Sequence, residues 1–235
     1  MCQLKNNLTQ IENRIEKACQ KACRPAADIT VLAASKGQTA SRMAQLYQLG
    51  VHRFGENYLQ EARGKQRDLA KLPIEWHFIG PVQSNKTLPI ALHFDWLQSL
   101  ARVKILRRLA AQRPSDLPPL NVLLEINIDR EPQKSGMLPE QLPELTALID
   151  EFPNIRLRGL MAIPKADAEP DQRRAAYDAM KQLYDELAGS RHGIDTLSMG
   201  MSDDLELAIE CGSTMVRIGS ALLGPRPTRP LKEAD

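Results

Sequence analysis

The chain has 235 residues, 43% of them hydrophobic and 26% charged, with a formal net charge of +2; this is the profile of a globular domain about long enough for one α/β barrel, and its near-neutral charge gives no electrostatic case for a nucleic-acid partner. No apolar run approaches the roughly 18 residues of a membrane-spanning helix, and the N-terminus lacks the apolar core of a signal peptide. Four cysteines, Cys2, Cys19, Cys23 and Cys211, are too few for a disulfide framework, and Cys19 with Cys23 is only half a metal site, so a reducing, cytoplasmic setting without a bound metal is expected.

Leu4, Leu8, Ile11, Ile15 and Ala18 recur at helical spacing, which predicts an opening amphipathic helix over residues 4–22. Eight strand candidates follow, at 29–35, 53–57, 75–80, 96–100, 121–127, 156–163, 196–200 and 215–224, with helical patterns in the gaps. The clearest helix lies near 172–188, where Met180, Leu183, Tyr184 and Leu187 form one apolar stripe. The proline-rich stretch 114–119 reads as the loop before the fifth strand, and the tail beyond about residue 225 as irregular. Strands alternating with helices imply right-handed crossovers and a parallel sheet. Eight such units favour closure into a single (β/α)8 TIM barrel spanning residues 1–235, because closure removes both sheet edges. An open doubly wound sheet would carry a glycine-rich turn after its first strand; here that strand ends Ser35-Lys36-Gly37-Gln38.

In a parallel barrel the chemistry belongs at the carboxyl ends of the strands. Lys36 stands at the first of these. Partial desolvation there would lower its pKa and free the amine to attack an aldehyde; a surface lysine in a βα loop is the plainer alternative. The loops after strands seven and eight hold Ser202, followed by Asp203 and Asp204, and Gly219-Ser220. Hydroxyls, a side-chain-free backbone and a helix N-terminus together suit a phosphate, although Ser202 is equally an ordinary helix N-cap and the two aspartates would have to turn away. Arg217, inside the apolar eighth strand, needs a partner, by default a carboxylate, otherwise a ligand atom. Glu56, Asn57, His77 and Asn127 complete the strand-end candidates, each with a structural alternative.

At these residues the sequence resembles the pyridoxal phosphate homeostasis protein family. The matching stretches are Ala34-Ser35-Lys36, Phe54-Gly55-Glu56-Asn57-Tyr58, His77-Phe78-Ile79-Gly80 with Gln83, Asn85 and Lys86, Lys134-Ser135-Gly136, Gly159-Leu160-Met161, Ser198-Met199-Gly200-Met201-Ser202 and Arg217-Ile218-Gly219. The family is similar to the barrel domain of alanine racemase standing alone. The resemblance implies that Lys36 carries pyridoxal 5′-phosphate (PLP) as a Schiff base. It further implies that Ser202, Gly219 and Ser220 bind the phosphate, that Arg217 meets the pyridine nitrogen, and that Asn57 and His77 lie near the ring. Two positions depart from the family pattern: Gln38 stands where a second lysine is usual, and Ser220 replaces a threonine while keeping the hydroxyl.

The implied role is to bind PLP, buffer its free concentration and deliver it to apoenzymes, as a monomer or weak dimer. Enzymatic use of PLP needs a base for the substrate's α-proton, and Arg217 can only donate to the ring nitrogen. The resemblance implies that alanine racemase supplies a second base, a tyrosine, from another domain. Here the chain is expected to end soon after the eighth strand, with Tyr58 the one tyrosine near the mouth. A non-catalytic carrier is therefore expected, with a PLP-dependent racemase or lyase as the alternative.

Overall fold

The computed structural model describes residues 2–165 and 167–226. Eight parallel strands close on themselves: β1 (Thr30–Ala34), β2 (Arg53–Glu56), β3 (Glu75–Phe78), β4 (Trp96–Leu100), β5 (Leu120–Glu125), β6 (Ile155–Met161), β7 (Thr196–Ser198) and β8 (Met215–Ile218). Each pairs with its neighbour in sequence, and β8 returns to β1 through Thr30–Met215, Val31–Val216, Leu32–Arg217 and Ala33–Ile218. All eight expected strands are present and the barrel closes as the count of βα units implied.

Helices α2 (Ala40–Tyr47), α3 (Leu59–Asp68), α4 (Thr87–His93), α5 (Val103–Gln112), α6 (Leu142–Ile149), α7 (Pro170–Ser190) and α8 (Leu205–Glu210) connect successive strands. Their apolar faces and the outer faces of the strands form the larger buried cluster. A small second cluster, Trp96, Leu123 and Met161, is separate from it. Trp96 shares strand parity with Gln98 on β4, and Leu123 with Glu125 on β5, so these two face the barrel axis. The loop over 114–119 is present and is held by Arg113, which donates to Pro118 O, Ala91 O and Phe94 O.

Two local readings differ from expectation. The eighth strand stops at Ile218, and residues 220–223 form a short helix, α9 (Ser220–Leu223). Ser202 is not a helix N-cap, because α8 starts at Leu205 with Asp204 in the cap position. The tail expectation, from Pro227 onward, lies outside the described residues.

The opening helix α1 (Cys2–Lys21) buries Leu4, Leu8, Ile11, Ile15 and Ala18 on one stripe. It packs across α8 and α9 and ties down their loops. Arg14 donates to Ser202 O and pairs with Glu206, Asn7 donates to Leu222 O, and Arg24, just past the helix, donates to Ile209 O and Ser213 O. An element outside the barrel repeat thereby fixes the two loops that follow β7 and β8.

Candidate functional site

Lys36 occupies a tight turn after β1, closed by Gln38 N–H donating to Ser35 O at 3.0 Å. Gly37 has φ +73° in this turn, a left-handed position that costs glycine nothing. The turn is clamped from behind. Ser35 Oγ donates to Glu56 Oε1 at 2.6 Å, Gly37 N–H donates to Glu61 Oε1, and Lys65 Nζ donates to Ser35 O, Glu56 Oε1 and Glu61 Oε1 at 2.5–2.7 Å. Glu56 is fully buried and Lys65 nearly so; burial pushes the Glu56 carboxyl up, against the opposing pull of Lys65. Sequence reasoning placed Glu56 at the mouth, whereas the structure spends it on holding the lysine turn. Lys36 itself makes no hydrogen bond or ion pair among the described residues. Burial, with Arg226 and Arg217 nearby, lowers its pKa. Both effects favour the neutral, nucleophilic amine.

Beside Lys36, on the neighbouring strand β8 and on β7 next to it, the strand-end loops carry Ser202, Gly219 and Ser220. Gly200, with φ +91°, turns the chain out of β7, and a Cβ there would stand 2.5 Å from Ala208 Cβ. The Asp204 carboxylate is engaged, accepting Met201 N–H and Tyr177 Oη–H with Arg173 at 3.6 Å, which offsets the charge of one of the two aspartates the sequence raised. It also brings a second tyrosine, Tyr177, close to the mouth, where only Tyr58 was expected. At Gly219, with φ −101°, a Cβ would meet only Ala34, at 3.6 Å or more. Protein packing does not demand glycine there, and the position leaves open space beside Ser220 N–H and Ala221 N–H at the start of α9, the amides of Leu222 and Leu223 being taken by Gly219 O.

Arg217 lies buried at the carboxyl ends of β6 and β7. Nη1 donates to Ser198 O and Ser198 Oγ, and Nη2 to Ala162 O, at 2.7–2.9 Å. The default salt bridge is not found: no carboxylate among the described residues reaches hydrogen-bond distance, and Glu125, Asp204 and Tyr177 act only through their fields. Asn57 is half-buried after β2, with a buried Oδ1 that has no hydrogen-bond partner among the described residues. Asn127 closes its own loop through Glu131 O and Glu131 N. His77 is fully buried inside the barrel, stacked on Trp96 at 5.1 Å, with both ring nitrogens engaged by Glu75 and Gln98. The site thus gathers Lys36, Asn57, Ser202, Arg217, Gly219 and Ser220 at the carboxyl face and leaves His77 beneath it.

A cavity of about 330 Å³ opens on the same face at the ends of β3–β5, lined in part by Ser99, Arg102, Glu125, Lys134 and Gly136. Glu125 was missed by sequence reasoning. Its side chain is buried without a hydrogen bond among the described residues, and burial, opposed by Arg217, pushes its pKa up to about 7. Another cavity, of about 280 Å³, lies at the amino end of the barrel, but its walls carry the ion pairs Arg53–Glu75 and Arg158–Asp195. Parallel-barrel chemistry belongs at the carboxyl face, so the site is assigned there. At Gln38, the amide donates to Gly224 O, tying the chain after α9 to the lysine turn.

These features suit a phosphorylated aldehyde: an amine of lowered pKa, an orphaned acceptor on Asn57, and an open, donor-bearing space at Gly219. The alanine racemase N-terminal domain family matches residues 4–227. The pyridoxal phosphate homeostasis protein of Pseudomonas aeruginosa is 51% identical over 226 residues, covering 96% of this chain and 97% of that protein. That of Escherichia coli K12 is 46% identical over 232 residues, covering 96% and 98%. Among solved structures, PipY of Synechococcus elongatus with PLP bound superposes with a TM-score of 0.78 at 28% identity, covering 90% of this chain and all of that one.

Proposed function

The chain belongs to the pyridoxal phosphate homeostasis protein family, and from that membership we propose that it binds PLP at the barrel mouth as a non-catalytic carrier. In this reading it buffers the cofactor in the cytoplasm and passes it to PLP-dependent apoenzymes. The observation that carries the proposal is Lys36: a half-buried amine with lowered pKa and no hydrogen bond among the described residues, on a turn that Glu56, Glu61 and Lys65 hold still.

Each residue has a distinct task. Lys36 supplies the amine that joins the cofactor's aldehyde as a Schiff base. Ser202 and Ser220 offer hydroxyls to the phosphate, and the backbone at Gly219 and the start of α9 offers N–H groups without a side chain in the way. Arg217, fixed by Ser198 and Ala162, donates to the pyridine nitrogen and cannot accept its proton. Asn57 Oδ1 stands ready as an acceptor at the ring edge. PLP, when bound, supplies an electrophilic carbon and, in enzymes, an electron sink that a donor such as Arg217 weakens.

A second reading, a slow PLP-dependent racemase or lyase, draws on one observation. Glu125 is a carboxyl at the mouth whose pKa of about 7 suits it to exchange a proton near neutrality. Two measurements test the pair. Borohydride treatment of the PLP-loaded protein should fix the cofactor on the peptide containing Lys36, and Lys36→Ala should abolish the adduct; an adduct elsewhere, or none, sinks the Lys36 assignment. Absence of α-deuterium exchange across a panel of amino acids supports the carrier, and sustained exchange with any one of them supports the enzyme.

A further inference from the structure

An unbroken line of hydrogen bonds crosses the barrel interior from its carboxyl to its amino end. Arg217 Nη1 donates to Ser198 Oγ at 2.7 Å, and Ser198 Oγ donates to Gln98 Oε1 at 2.8 Å. Gln98 Nε2 lies 3.0 Å from His77 Nδ1, and His77 Nε2 lies 2.8 Å from Glu75 Oε1. Ser198, Gln98 and His77 are fully inaccessible to solvent; Glu75 ends the line at the amino-end cavity.

With Gln98 Oε1 toward Ser198 and Nε2 toward His77, the chemistry of the members gives the line one direction. A guanidinium has donors and no acceptor. The Ser198 hydroxyl accepts from it, so its single proton goes to the Gln98 carbonyl oxygen. The Gln98 amide then donates, to His77 Nδ1 and also toward Met215 Sδ at 3.1 Å. Nδ1 therefore carries no proton, the ring is neutral, and Nε2–H donates to Glu75. Burial lowers the His77 pKa, in agreement with a neutral ring. Every donor points from the cation at the mouth toward the carboxylate at the floor.

Interiors of parallel barrels are filled mostly by branched apolar residues, and a buried polar group costs free energy unless it is fully paired. A polar line through the core, ending on an arginine that no carboxylate among the described residues hydrogen-bonds, is more than packing requires. We propose that Ser198 and Gln98 are positioning residues that set the direction of the Arg217 guanidinium toward the cofactor ring, with His77 and Glu75 anchoring the line from the barrel floor. This deepens the reading that Arg217 meets the pyridine nitrogen and rests on it. It also gives His77 its part: it acts on the site from beneath, through two uncharged residues, and touches no ligand.

The test begins with cofactor-free protein labelled with ¹⁵N-histidine, the His77 signal being assigned from His77→Gln. The proton should reside on Nε2; a proton on Nδ1 overturns the proposal. Ser198→Ala and Gln98→Met are then loaded with PLP. Both should displace the visible absorbance maximum in the sense of Arg217→Lys and release PLP roughly tenfold faster, about the effect of one net hydrogen bond. Ser198→Ala removes only a hydroxyl, so it decides the matter if Gln98→Met does not fold. Variants that melt like the parent and keep its spectrum and release rate, while Arg217→Lys changes both, overturn the positioning role and leave the Arg217 reading standing. If Arg217→Lys changes neither, that reading fails and the positioning role falls with it.

Discussion

Glu125 offers a quantitative test of how the mouth is built. Burial raises its carboxyl from the ordinary 4.5 to about 7. An acid whose pKa is higher in the folded than in the unfolded chain binds its proton more tightly when folded. Stability from this group is therefore complete below about pH 4.5 and is lost as pH rises to about 7. At about 1.4 kcal/mol per tenfold change in proton affinity, the loss is about 3 kcal/mol. Glu125→Gln has the shape of the protonated acid and no charge to desolvate. It should match the parent near pH 4.5 and exceed it by about 3 kcal/mol at pH 8. In a domain of this size that corresponds to roughly 6–12 °C in Tm. Thermal melts of cofactor-free parent and variant across pH 4.5–8.5 provide the assay. A Tm difference that does not change with pH would refute the argument, because the group would then not be titrating against its burial. The same variant should also lose any α-deuterium exchange the parent shows, which links the stability measurement to the enzyme reading.

Three further predictions address the rest of the site. Gly219→Ala adds a Cβ that meets only ordinary protein contacts and should weaken PLP roughly 10- to 100-fold by displacing one charge-assisted hydrogen bond to the phosphate; in a variant whose melt shows it folded, unchanged affinity by equilibrium dialysis would remove Gly219 from the phosphate site. Arg14→Ala removes a half-exposed ion pair with Glu206 and the donor to Ser202 O, so it should cost about 1 kcal/mol or less in melts while loosening the Ser202 loop and speeding PLP release; a release rate equal to the parent's speaks against α1 as the brace of that loop. Lys65→Met leaves the buried Glu56 carboxylate without its cation, which should cost about 3–5 kcal/mol at neutral pH, with the deficit shrinking in acid as Glu56 protonates; a mild and pH-independent loss in the same melts contradicts the clamp.

The physical range of each interaction explains which features were legible in the sequence. Strands were legible because alternating short apolar runs and helical stripes are local patterns, and eight of them leave little choice but closure. The eighth strand was drawn too long because Ser220-Ala221-Leu222-Leu223 is apolar and too short for periodicity to separate strand from helix. Ser202 was offered as a cap because Ser and Asp both cap helices, and only the backbone decides that Asp204 holds the cap position. Arg217 was flagged by its burial in an apolar strand, but its partners, Ser198 and Ala162, come from β7 and the end of β6. His77 was placed at the mouth because a polar residue near a strand end looks like a rim residue. Its parity with Glu75 on β3 turns it instead onto the barrel axis, where its second partner, Gln98, sits on the next strand. Glu125 gave no signal, since its raised pKa depends on which strands close around it. Lys36, Ser202, Gly219 and Ser220 were singled out by residue type and place in the chain, and their part in PLP binding is the proposal made above. The residues that hold them in place, Glu56 with Lys65, Arg14, and the line from Ser198 to Glu75, act across sequence separations as long as the 192 residues between Arg14 and Glu206. Only the closed barrel makes them neighbours.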